Sequence, residues 1–318
     1  MSKTFVSVNA AANIALVKYW GKKPGPGNQP ATGSLSIGLE DLRTETTLEI
    51  IDAPEDQIDF DGLATARERL VSYFDEVRRL FSLSDRFKLQ TANNFPTGTG
   101  LASSASGFAA LAMALNELLQ LDLEAADVSR LAMRGSGSAA RSVYGGFVET
   151  VAEQDAFARQ IRPTEHWPLA VLVAITDESA KRISSTDAMQ QTAHSSPYYQ
   201  AWLDTHRDDM VAGRAAVENR DFDKLALVAE ASCLKMHASI MTSVPAIIYW
   251  HPATLSIIHC VQRLRESGLP CFFTIDAGAQ VKVICEPESL SAASAAISDL
   301  NGVQRLITTR LGGEPSIQ

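Results

Sequence analysis

The chain has 318 residues, 46% of them hydrophobic and 20% charged, enough apolar material for one large core or two medium ones, and two domains are the expected division. A formal net charge of −9 argues against nonspecific nucleic-acid binding, while leaving room for a local basic pocket around an anionic small molecule. Cys233, Cys260, Cys271 and Cys285 lack zinc-type spacing and read as buried thiols. No apolar run approaches the roughly 18 residues that span a bilayer. The first residues run into a KYWGKK cluster unlike a cleaved secretory signal, so a soluble cytoplasmic protein with no membrane partner is expected.

Residues 4–20 read as a strand and a turn leading into a second short extended piece, with Asn9 and Asn13 as polar interruptions. Lys18, Lys22 and Lys23 then cluster beside Tyr19 and Trp20, ahead of a Pro/Gly loop. A charge cluster is ordinarily a solvated face. Lys18, however, lies between Val17 and Tyr19, where a partly buried ammonium needs an anion, and a substrate phosphate or carboxylate is the expected partner. Residues 32–39 and 44–51 predict a pair of antiparallel strands, in which Ser34 and Ser36 either face a ligand or are structural. Asp61-Gly62 marks a turn, residues 63–81 an amphipathic helix with Leu70, Phe74, Val77 and Phe81 inward, and residues 87–90 a strand.

Residues 95–119, FPTGTGLASSASGFAALAMALNELL, join a Gly- and hydroxyl-rich turn to an apolar helical pattern. Gly98 and Gly100 free the backbone, Ala102, Ser103, Ser104, Ala105 and Ser106 permit close approach, and a helix N-terminus offers N–H groups to an anion. The stretch reads as a phosphate cradle. No lysine follows in Walker A spacing, and the same pattern also makes an ordinary N-cap, so the reading leans on the rest of the chain.

Residues 123–134 predict a helix with Asp127 early and Arg130 and Arg134 late, the order that the helix dipole favours. In the following GSGSAARSVYGGFVE, Arg141 has only small neighbours and is suited to clamp a carboxylate or phosphate, ahead of a strand over 147–151. Residues 167–176 form a continuous apolar strand of the kind buried on both faces. A polar loop over 177–189 offers Lys181, Arg182, Ser184, Ser185 and Thr186, and the expected division into domains 1–184 and 185–318 falls within it. Helices are predicted over 198–218, 222–241 and 252–267, then a hairpin with strands 271–275 and 281–285 about Asp276-Ala277-Gly278. Asp276 is either a turn-former or a carboxylate held over a pocket. A helix near 289–300 and a strand over 305–309 complete the chain, with no internal repeat.

Taken in order, NIALVKYWGKK, FPTGTGLASSASG, RGSGSAARSVYGGFVE, SSTDAM, KMHA and TIDAGAQVKV resemble the motifs of the mevalonate diphosphate decarboxylases, a branch of the GHMP kinase superfamily, over nearly the whole chain. The resemblance implies an α+β GHMP kinase fold, with an N-terminal domain like ribosomal protein S5 domain 2 and a C-terminal ferredoxin-like α/β sandwich. It implies ATP-dependent decarboxylation of mevalonate 5-diphosphate to isopentenyl diphosphate, with Mg2+ required and a homodimer as the assembly. Phosphomevalonate decarboxylase and GHMP-type mevalonate kinase are the alternatives within enzymes, and a noncatalytic relative the alternative outside them.

By the same resemblance Asp276 orients or deprotonates the 3-hydroxyl, Arg141 holds the substrate carboxylate, and Lys18 neutralises charge beside the 3-hydroxyl. Asn13, Tyr19, Trp20, Lys22, Ser138, Ser184, Ser185 and Met189 complete the substrate site. Gly98, Gly100, Leu101, Ala102, Ser103 and Ser104 bind the ATP phosphates, Ser104 with the magnesium. Three departures stand out: Thr32-Gly33-Ser34 replaces an NSS stretch, Ala279-Gln280 replaces Pro-Asn after the DAG, and Ala188 replaces a glycine, which predicts a loop less free to adopt positive φ.

Overall fold

A computed structural model describes residues 4–60, 64–95, 103–179 and 182–318. The Asp61-Gly62 turn, Lys181, and the cradle positions Gly98, Gly100, Leu101 and Ala102 lie outside the described residues. The fold is α+β, built on two sheets. The first is seven-stranded, in the order β11-β1-β2-β4-β3, with β5 pairing β2 and β6 pairing β5.

Strand β1 (Phe5–Val17) is one strand where two extended pieces were expected, and Asn9 and Asn13 lie within it. Its partner β2 (Ser34–Ile51) is likewise continuous, so the predicted antiparallel pair over 32–39 and 44–51 is a single strand. The reason is a bulge. Ala11 pairs Arg43 while Ala12 pairs Leu39, so three residues of β2 loop out opposite one peptide of β1. Past this kink β2 changes its second neighbour, from β5 (Phe147–Val151) over Ser34 to Ile37 to β4 (Arg86–Asn93) over Thr44 to Ile51. Three short strands escaped the sequence reading: β3 (Gln57–Phe60), parallel to β4, β6 (Phe157–Arg162) and β11 (Ser316–Ile317).

One face of this sheet is covered by α1 (Ala64–Phe81), α2 (Ser103–Leu118) and α3 (Ala125–Gly135). Phe74, Val77, Phe108, Leu111 and Leu115 meet Val6, Val8, Phe87 and Leu89 there, all buried. Burial of each large side chain of this kind contributes about 1.5–3 kcal/mol, and the core anchors the first turn of α2.

The second sheet is antiparallel throughout, in the order β10-β7-β9-β8, from β7 (Ala170–Ile175), β8 (Cys271–Ile275), β9 (Val281–Cys285) and β10 (Arg305–Arg310). With helices between β7 and β8 and between β9 and β10, the order is that of the ferredoxin-like split unit. β7 lies ahead of the expected 184/185 division yet belongs to this sheet, because its two apolar faces both find cover. Val171, Val173 and Ile175 join a core with β1 and β2, and Leu172 and Ala174 join one with α7 (Pro252–Glu266) and α8 (Leu290–Ser298).

Between β7 and β8 run α4 (Ser185–Ser195), α5 (Tyr199–Asn219), α6 (Phe222–Met241) and α7. The expected loop over 177–189 therefore ends early. Ser184 caps α4 by accepting from the Asp187 N–H at 3.1 Å. Ala188 is a helical residue inside α4, so its position requires no positive φ. The short β11 (Ser316–Ile317) returns to pair β1 in the first sheet.

Candidate active site

The end of β1 carries Lys18 into the space between the two sheets. Its backbone is held from both sides, the N–H donating to Ser232 Oγ of α6 at 2.9 Å and the carbonyl meeting His206 Nε2 of α5 at 3.0 Å. Its side chain is 1% exposed and its Nζ lies 2.6 Å from Asp276 Oδ1. An anionic partner of this lysine is thus an aspartate of the chain itself.

Asp276 opens the turn between β8 and β9, and what fixes it is the edge of the second sheet. β8 is an edge strand whose outer backbone groups have no neighbouring strand among the described residues. A stripe of α6 supplies the missing partners. Glu230 Oε1 accepts from the Phe273 N–H at 3.2 Å, Cys233 Sγ accepts from the Ile275 N–H at 3.2 Å, and His237 Nε2 lies 3.2 Å from the Ile275 carbonyl. That carbonyl can only accept, so the proton is on Nε2, and the buried Nδ1 has no partner among the described residues. Burial pushes His237 down to about 3, which keeps it neutral, and pushes the Cys233 thiol up to about 11. The turn is tied on its other side by Gln280, whose Oε1 accepts from the Thr176 N–H at 2.7 Å, and by Thr254 Oγ1 donating to the Ala279 carbonyl at 2.9 Å. Those ties hold the DAGAQ turn without the proline.

Burial alone would raise the Asp276 carboxyl, but Lys18, Lys282 and Arg141 overcome it and hold the group well below the usual carboxylate range. Lys282, on β9, reaches Asp276 Oδ2 at 3.4 Å. It was missed in the sequence. A signal was available, since a lysine inside the apolar run VKVIC, on a strand buried on both faces, must have an anion beside it.

Arg141 sits in a 3-10 turn over Ala139–Val143, a structure the Gly-Ser spacing did not reveal. Far from lying open among small residues, it is 6% exposed. Its Nη1 donates to Ser34 Oγ at 3.3 Å and Ser36 Oγ at 3.0 Å, and its Nε to the Ser138 carbonyl at 3.4 Å. All three acceptors are neutral. Among the described residues no carboxylate forms an ion pair with it, and burial brings it down to about 10, against the opposing influence of Asp276 and Tyr19. Asn13, buried on β1, braces the turn by donating to the Ser138 carbonyl at 3.1 Å and Ser142 Oγ at 2.7 Å.

The first turn of α2 is linked to this arginine by hydroxyls. Ser104 Oγ lies 3.2 Å from Ser136 Oγ, which lies 3.3 Å from Ser138 Oγ. The described part of the cradle and the Arg141 turn are thereby one site. Gly137 is required between them, since a Cβ there would stand 2.6 Å from Tyr19 Oη. That phenol, raised by burial, has no hydrogen-bond partner among the described residues.

The remaining predicted residues divide. Lys22 Nζ donates to Asn28 Oδ1 at 2.8 Å and Thr186 Oγ1 at 2.9 Å, beside a cleft of about 510 Å³ that Met189 and His194 also line. Ser184 is exposed at the α4 cap, and Ser185 begins the helix. Trp20 and Met189 are packed with Trp202, Met236 and Ala277 behind the site, so Trp20 supports the pocket from its apolar side. Thr32 helps through Oγ1, which accepts from the Trp20 N–H at 3.2 Å.

A partly buried carboxylate gripped by lysines, a buried arginine without an acidic partner among the described residues and a Ser-lined helix start define a site for an anionic small molecule. Comparison with known proteins gives the family. Residues 10–160 match the diphosphomevalonate decarboxylase-like N-terminal domain, and residues 171–317 the mevalonate 5-diphosphate decarboxylase C-terminal domain. The diphosphomevalonate decarboxylase of Candida albicans is 34% identical over 86% of this chain and 82% of its own, and that of Homo sapiens 34% identical over 92% and 79%. A solved complex of MDDEF with MVAPP, AMPPCP and magnesium is 35% identical and covers 99% of both chains, at a TM-score of 0.92. The Staphylococcus aureus mevalonate diphosphate decarboxylase is 33% identical over 99% and 98%, also at 0.92. The chain belongs to the diphosphomevalonate decarboxylase family.

Proposed function

We propose that this protein phosphorylates the tertiary 3-hydroxyl of mevalonate 5-diphosphate with ATP and then releases phosphate and carbon dioxide to give isopentenyl diphosphate. The observation that carries the reading is Arg141, a buried guanidinium whose partners among the described residues are neutral oxygens. Such a group costs several kcal/mol to bury and is retained where a ligand completes it. The substrate carboxylate is that ligand, held by the planar fork.

The chemistry divides between positioning and charge. In the first half the 3-hydroxyl oxygen forms a bond to the γ-phosphorus of ATP as the bond to ADP breaks. Asp276, ionised by its lysines, accepts the hydrogen bond of that hydroxyl and aligns it, and the hydroxyl proton passes to Asp276 as the new O–P bond is completed. A carboxylate held so far below its ordinary range is a weak base, so alignment is its main contribution. In the second half the C3–O bond breaks and phosphate leaves with its electron pair; the bond between C2 and the carboxylate carbon breaks to release carbon dioxide, and the electron pair of that carbon–carbon bond becomes the new double bond between C2 and C3. Lys18 and Arg141 stabilise the charge that moves during these steps.

Ser103 and Ser104, at the start of α2, take the nucleotide phosphates together with the glycines of the cradle. Ser104 would offer a hydroxyl oxygen to magnesium, whose charge would offset that of the nucleotide phosphates. Lys22, Ser138, Ser184 and Ser185 serve the diphosphate end of the substrate, with Tyr19 over the pocket.

A cytoplasmic homodimer is part of the proposal; among the described residues no helix is long and apolar enough to cross a membrane. Purified protein incubated with ATP, magnesium and mevalonate 5-diphosphate should release ADP and carbon dioxide in equal amounts, and ADP without carbon dioxide would make it a kinase.

A further inference from the structure

Lys282 is the one charged residue of β9, and its side chain is 1% exposed, like the valines beside it. It stands opposite Thr274 in the β8–β9 ladder, two residues before Asp276. From there its Nζ approaches Oδ2, the oxygen that Lys18 leaves, at 3.4 Å, while Lys18 takes Oδ1 at 2.6 Å. The two cations come from different sheets. Lys18 ends a strand of the first, and Lys282 is fixed in the middle of a strand of the second, the same sheet that carries Asp276. The Asp276 side chain, 26% exposed, is the member of the trio that is open to solvent.

We propose that Lys282 is a positioning residue for phosphoryl transfer, which holds Asp276 as an ionised and oriented hydrogen-bond acceptor independently of Lys18. The proposal rests on the reading that Asp276 receives the 3-hydroxyl. Its consequence is a division of labour. Lys18 is free to turn toward negative charge on the reacting substrate, because Asp276 keeps a counter-ion and does not take up a proton when Lys18 leaves. The groups facing Asp276 are Lys18 from β1, Arg141 from the 3-10 turn, Lys282 from β9, and His237 and Cys233 from α6. Burial keeps His237 neutral and Cys233 a thiol, and of the three cations only the lysines are in ion-pair contact with it.

The test titrates the Asp276 side-chain carboxyl carbon by NMR in the ligand-free protein, with Asp276→Asn as the assignment control. Lys282→Met preserves length and burial. It should raise the carboxyl pKa by about one unit or more, as loss of a close opposite charge does, and move the acid limb of kcat/KM up by the same amount while the KM for ATP stays put. Lys18→Met reads the claim from the other side: with Lys282 alone, Asp276 should stay ionised to below pH ~4, the ordinary carboxylate value. A folded Lys282→Met protein with unmoved titration and acid limb overturns the proposal, and so does a Lys18→Met protein whose Asp276 is protonated above that pH. Because the titration needs no turnover, a protein that titrates as expected but releases no carbon dioxide refutes the reaction and not the clamp.

Discussion

Replacement of Arg141 by methionine separates what the residue does for the fold from what it does for the substrate. In the fold its three hydrogen bonds, at 3.0, 3.3 and 3.4 Å, go to neutral oxygens, two of them near the limit of useful length. Together they contribute about 1–3 kcal/mol, whereas desolvating the guanidinium costs several kcal/mol in the absence of an anion. Methionine removes both terms, so the ligand-free variant should unfold within about 1 kcal/mol of the parent, or be more stable. Against the substrate the balance reverses. Two charge-assisted bonds to a carboxylate contribute about 1.5–3 kcal/mol each, so kcat/KM should fall by roughly 10²–10⁴. Urea unfolding and steady-state carbon dioxide release measure the two halves. A variant destabilised by more than ~3 kcal/mol with near-normal turnover would refute the reasoning, since the guanidinium would then be a structural group already satisfied by its serines.

Asp276→Asn keeps the turn and removes the charge; carbon dioxide release should drop by about 10³ or more, with ATP affinity retained in calorimetry. Near-normal activity would remove Asp276 from the reaction. The fold favours the ionised form of Asp276, so its contribution to stability is complete above the unfolded carboxylate value of about 3.9 and is lost as pH falls below it. His237 acts in a higher window: neutral in the fold down to about 3, it lets the unfolded chain bind the extra proton below about 6.5. Each pH unit down through that window should cost about 1.4 kcal/mol of stability. His237→Gln should flatten that slope in urea titrations, and an unchanged slope would place the acid sensitivity elsewhere. Gly145→Ala should lower stability by about 2 kcal/mol or more, because the new Cβ would stand 2.4 Å from the Gly313 carbonyl carbon, in backbone that has no rotamer to change. A thermal midpoint within a degree of the parent would show that the tail yields.

Periodicity made the helices and the Asp276 hairpin legible in the sequence. Predicted strands 271–275 and 281–285 coincide with β8 and β9, and α6 was bounded as predicted at 222–241. β2 was read as two strands because Glu40 and Asp41 interrupt its pattern. The bulge that absorbs them depends on β1 and on Thr309, whose Oγ1 accepts from the Asp41 N–H at 3.0 Å, far along the chain. Lys18, Arg141 and Asp276 were singled out from motif and local context, but the Lys18–Asp276 ion pair was not, because it is made by two sheets that meet across 258 positions of sequence. Lys282 and His237 were lost for a related reason: one reads as a strand residue and the other as a helix residue until the fold sets Lys282 against the Asp276 carboxylate and His237 against the Ile275 carbonyl just before it.

The most direct test of the central claim is a product count with the unsubstituted protein, with ATP and magnesium, on mevalonate 5-diphosphate and mevalonate 5-phosphate in parallel. One carbon dioxide for each ADP with the diphosphate, and little of either with the monophosphate, is the predicted result. Carbon dioxide from the monophosphate in preference, or ADP without carbon dioxide from both, would contradict it.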